Sequence, residues 1–150
     1  MGFQTHQFGT LYLNDAPKHI PQMPYEQGDV PVYNGKAKIS IGDSYDGDTV
    51  TWIQPDGMGI LIADRVLLVN VSWNDLNGQG FVEGKEIMVD GTRFLCRLLK
   101  VGDGANAPNE WDSALNIAGD DNDLWHWADM FSFGQETSRK DTGFRVCRGC

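Results

Sequence analysis

Two short runs near the C-terminal end carry the side chains best suited to holding a ligand. In Asp123-Leu124-Trp125-His126-Trp127 an imidazole stands between two indoles, and in Arg145-Val146-Cys147-Arg148-Gly149 two guanidiniums are spaced i, i+3. The chemistry they offer is recognition: an aromatic loop beside a basic tail, with Trp125, His126, Trp127, Arg145 and Arg148 as candidate ligand-binding residues. The same tryptophans, with Trp73 and Trp111, have a second reading as core fillers that anchor irregular loops.

Acidic runs offer oxygen ligands of the kind calcium prefers. Asp43, Asp46 and Asp48 surround Gly42 and Gly47, and Asp120, Asp121, Asn122 and Asp123 form a second run. Neither follows the EF-hand order, so solvated turns are the competing reading, and Asp121 with Asp123 are the candidate calcium ligands. No other cofactor is expected. The usual catalytic assemblies are absent: there is no GxSxG, HExxH or Walker loop, and His6 and His19 fall in an extended N-terminal segment. Glu110 with Asp112, or Glu83 with Glu86, cannot be promoted to general acid and base on spacing alone. No enzymatic activity is expected.

Three cysteines, Cys96, Cys147 and Cys150, form no even disulfide framework, and the terminal CxxC lacks the second pair of a zinc site. Reduced thiols are expected. The net charge of −9 repels phosphate backbones, which argues against general nucleic-acid binding. Arg139, Lys140, Arg145 and Arg148 nevertheless put a basic end on an acidic body. The first residues, Met1 to His6, have neither a cationic start nor an apolar h-region, so no secretory signal is expected. The apolar stretches fall far short of a membrane span. A soluble protein, cytoplasmic or virion-associated, is the expectation.

The elements that must position these groups are short. Eighteen Gly, six Pro and many Asn and Asp predict frequent turns and an α+β, β-rich chain. Phe8 to Leu13 reads as a first strand, followed by a connector through Pro17, Pro21, Pro24 and Pro31. Lys36 to Ile41 and Thr49 to Ile53 alternate as half-buried strands do, and Arg65 to Ser72 is aliphatic enough for a central strand covered on both faces. Asp90-Gly91 between Glu86–Val89 and Thr92–Leu98 predicts a tight β-hairpin. Pro108 and Asn109 predict a helix start, Gly119 its end, with Trp111, Ala114, Leu115 and Ala118 on one face. The cluster from Leu124 to Phe131 predicts a packed short helix or turn.

Val71-Ser72-Trp73-Asn74-Asp75-Leu76 resembles the VSWxDA element of the formylglycine-generating-enzyme and sulfatase-modifying-factor family. Asn109-Glu110-Trp111-Asp112-Ser113-Ala114-Leu115 is similar to that family's EAEWEYAA helix, Asp123 to Trp127 to its NVWEW segment, and Arg145 to Gly149 to its RVxRGG strand. The resemblance covers roughly residues 69–150 and implies a C-type-lectin-like scaffold, as in the variable proteins of diversity-generating retroelements and many phage and gut-bacterial proteins. It divides the chain into a β-rich N-terminal segment, residues 1–65, packing on an incomplete C-type-lectin-like region, residues 66–150, that lacks the closing part. The family's reactive cysteines lie beyond the RVxRGG strand, so the resemblance gives Cys147 and Cys150 no catalytic role. The NVWEW asparagine, which supports calcium in some members, corresponds to Asp123, and its glutamate to His126.

Three functional readings follow. The first is a non-enzymatic ligand-recognition or display protein of phage or gut-bacterial type, binding a protein or small molecule near the aromatic loop and basic tail. The second is a phage protein that sequesters a small anionic, nucleotide-type ligand between Arg145 and Arg148. The third is an enzyme using His126 with a carboxylate in reach. A Phe144-to-Cys147 strand left without its closing neighbour would expose an edge, which predicts a homo-oligomer or a partner that caps it.

Overall fold

The computed structural model describes residues 2–20, 30–100, 109–119, 122–125, 131–137 and 145–149. It is a β-rich α+β structure of short antiparallel sheets and short helices. The first strand expected at Phe8 to Leu13 is two: β1 (Phe3–Gln7) and β2 (Thr10–Leu13). Gly9, at φ 78°, separates them and sends each to a different sheet.

One sheet holds β1, β5 (Thr51–Pro55) and β6 (Ile62–Ala63) in the order β1-β5-β6. A second holds β3 (Ala16–Pro17), β2 and β4 (Ile39–Gly42) in the order β3-β2-β4. Asn14 and Asp15, at φ 51° and 64°, make the tight turn from β2 to β3, a conformation their short polar side chains tolerate. β7 (Lys85–Val89) and β8 (Thr92–Cys96) form the expected hairpin, with Asp90 and Gly91 at φ 50° and 84° as its two turn residues.

Arg65 to Ser72 corrects an expectation: it is not a central strand. Its one bridge is parallel, Val32 with Val69, closed by Val69 N–H donating to Pro31 O and Tyr33 N–H donating to Val69 O. Pro31 has no N–H to extend that ladder, and Asn70 turns away at φ 60° while its amide donates to Tyr33 O. Aliphatic content attracts the run to the core without supplying a ladder, and Leu67, Leu68 and Val71 pack half-buried.

α1 (Trp73–Gly78) begins at Ser72, whose hydroxyl accepts from Asp75 N–H while the Asp75 carboxylate accepts from Ser72 N–H. Just after it, Gln79 accepts from Ile39 N–H and donates to Tyr33 Oη and Ala37 O, so one amide ties the 33–39 segment to the end of α1. α2 (Glu110–Ala118) runs between Asn109 and Gly119 as expected, and α3 (Asn122–Trp125) is a single turn. β9 (Phe131–Thr137) and β10 (Arg145–Gly149) pair antiparallel, with an irregularity in register between Arg145 and Cys147.

Two hydrophobic cores lie among the described residues. The first gathers Leu11, Leu13, Tyr33, Ala37, Ile39, Ile41, Phe81 and Val89, flanked by a stack of Phe94 on Phe8 on Trp52. The second gathers Ile53, Ile62, Ala114 and Trp125. In β5 the side chains alternate, so Trp52 serves the first core and Ile53 the second, and this strand is the wall between them. No described helix is long and apolar enough to cross a membrane.

Candidate recognition region and its support

The support of the C-terminal region starts at Asn109. Its backbone is extended, and its side-chain oxygen accepts from Asp112 N–H at 2.7 Å, which satisfies one of the donors left open at a helix start. Glu110 and Asp112 then lie where the helix dipole favours negative charge. Glu110 also takes both ends of a guanidinium: Arg97 Nη1 reaches Oε1 at 2.6 Å and Nη2 reaches Oε2 at 2.7 Å. Lys100 N–H donates to the same carboxylate, and Glu110 N–H donates back to Lys100 O. The helix is thus clamped to the chain leaving β8.

The charges respond to that clamp. The hydrogen bonds from Arg97, helped by Lys100 N–H, hold the Glu110 carboxyl below its ordinary range against the opposing effect of burial. Arg97 is correspondingly raised by its bond to Glu110. Both side chains are only about one-fifth exposed, 21% each, so this pair is better shielded than a surface ion pair.

Trp125 sits at the other end of the brace. It is 2% exposed, its ring lies 5.9 Å from that of Trp111, and its indole N–H donates to Gly119 O at 2.7 Å. Its side chain is therefore a member of the second core, and the indole's single donor closes the C-terminal end of α2. Among the other candidate ligand residues, Arg145 stands opposite Thr137 and Arg148 opposite Ser132 in the β9–β10 ribbon. His126 and Trp127 lie outside the described residues, as does Asp121, while Asp123 falls within α3.

Among the described residues, no group of three or more His, Cys, Asp or Glu side chains could hold a metal. The run around Gly42 and Gly47 is used for ties between turns. Asp43 accepts from Asp90 N–H, Asp90 accepts from both the N–H and the hydroxyl of Ser44, and Tyr12 Oη donates to Asp43 O. Those bonds from Ser44 lower Asp90 below its ordinary value, while burial and then the neighbouring Asp43 raise Tyr12. Asp48 is buried and accepts from His19 Nδ1–H at 2.9 Å, leaving the imidazole outside, 93% exposed.

Spacing in the chain gives no sign of several of these contacts. Arg97 and Glu110 lie on opposite sides of residues 101–108, and His19 and Asp48 come from separate elements. Cys96 is free, and burial pushes its thiol up to about 11, an unreactive state at neutral pH. No family model, curated protein or solved structure matches this chain.

Proposed function

We propose that this chain is a non-enzymatic recognition protein on a C-type-lectin-like scaffold of the kind carried by phage and gut bacteria. Its binding residues are His126, Trp127, Arg145 and Arg148, with Trp125 as the buried anchor at the start of the aromatic loop. The observation that carries the reading is the use of the motif residues themselves. Asn109 caps, Glu110 clamps Arg97, and Trp125 closes the end of α2, so these motif residues are spent on rigidity. A platform made rigid in this way lowers the ordering cost of binding through the segments it carries. Asp121 and Asp123 would add a calcium ion beside that loop, supplying charge and order rather than reaction chemistry.

The test is a screen of the purified chain against a glycan array, a displayed-peptide library and a nucleotide panel, with and without Ca²⁺. The expected result is a ligand whose affinity falls about tenfold or more in the Arg145→Ala/Arg148→Ala variant while the thermal midpoint stays put. No ligand in any panel, or a ligand indifferent to both arginines, would overturn the proposal. A hit confined to nucleotides would select the sequestering version.

A further inference from the structure

The outward face of the β7–β8 hairpin carries four exposed side chains in a two-by-two array. Glu86 stands across from Leu95, and Met88 across from Arg93. One diagonal is charged, with Arg93 Nε 3.3 Å from the Glu86 carboxylate, both mostly exposed. The other diagonal is apolar: Met88 is 50% exposed and Leu95 65%. Leu95 lies against Gly84, where a β-carbon would come within 2.9 Å of its side chain, so the missing side chain leaves room for it.

We infer that this face is a self-association surface whose partner is a second copy of the chain. The argument is symmetry. A closed dimer needs a patch complementary to itself. A two-fold axis along the Met88–Leu95 diagonal lays Met88 on Met88 and Leu95 on Leu95 of the second copy. It also sets Glu86 near the second copy's Arg93, and Arg93 near its Glu86. With strands about 4.8 Å apart and residues i, i+2 about 6.8 Å apart, that axis crosses the two hairpins at roughly 70°, toward the orthogonal mode of sheet packing.

Overall charge opposes a second copy, and this patch is where that cost is small. Two bodies of net charge −9 repel each other, whereas this patch is neutral, one acid against one base. The exposed ion pairs add little energy and serve to select the partner and its orientation. The two apolar residues supply the attraction, and a patch this small falls well short of the ~800 Å² per partner of a standard interface. The dimer is therefore weak and forms only at high protein concentration.

Sedimentation equilibrium from about 1 µM to about 1 mM reads such an association. Wild type should move from monomer toward dimer, and Leu95→Ser should raise Kd about tenfold or more. Glu86→Arg alone and Arg93→Glu alone should each be monomeric, because each faces its own copy with like charges. Mixed together they should form a one-to-one heterodimer, a rescue that an intramolecular role for the ion pair cannot give. Wild type that stays monomeric, self-association that survives both reversals, or a mixture that fails to associate would overturn the inference.

Discussion

Glu110 shows how a single carboxylate can look like chemistry in a sequence and be structure in the fold. Beside Asp112 it has the composition of an acid–base pair, yet both its oxygens are committed to Arg97 and one also to Lys100 N–H. Its carboxyl is held below the ordinary range, so its contribution to stability is complete above that range and is lost as pH falls through it toward the folded value. We predict that Glu110→Gln costs about 2 kcal/mol at neutral pH, the usual order for charge-assisted hydrogen bonds. Urea titrations between about pH 6 and about pH 3 should show the wild-type advantage over the variant shrinking as the acid is protonated. The lowered Asp90 is present in both proteins, so the difference between the two curves isolates Glu110. An advantage that does not depend on pH would mean that shape, not charge, holds the clamp.

At the scale of elements, the legible signals were those in which one residue determines the backbone locally. Asp90-Gly91 fixed the hairpin because both positions need positive φ, and Asn109 with Gly119 bounded α2 because one caps and the other ends a helix. Asn109→Ala should remove the bond to Asp112 N–H and cost about 1 kcal/mol, seen as a lower midpoint in chemical denaturation with an unchanged slope. Where the signal was hydrophobic content alone, it failed. Arg65 to Ser72 has the composition of a buried strand, but a ladder needs a neighbour with free donors, and the neighbour here contains Pro31. The first strand divides for a related reason: Phe8 to Leu13 is continuous in composition, and the turn at Gly9 places the residues on either side of it in two sheets.

The molecule as a whole is organised about β5, whose alternate residues face two cores that each draw on both sides of residue 65. Trp125, at the end of α3, reaches into this organisation, packed with Ile53, Ile62 and Ala114, and Leu124 packs against the same core. We predict that Trp125→Ala destabilises the chain by about 3–5 kcal/mol, measured by thermal or urea unfolding, because it removes a large buried ring and leaves Gly119 O without its donor. A variant as stable as wild type would show that the second core does not depend on the ring.

The sequence by itself determined what depends on neighbours along the chain: the β-rich α+β class, the hairpin turn, the capped helix and the acidic charge balance. These follow from local backbone preference and from composition, which need no distant partner. Only the tertiary structure decided which side chains were free to act. Arg97 met Glu110, His19 met Asp48, Asp90 met Ser44, and Trp125 turned inward, each through a contact between residues far apart in the chain. Hydrogen bonds and packing are set by distance in space, and a linear spacing carries no record of that distance until the chain has folded.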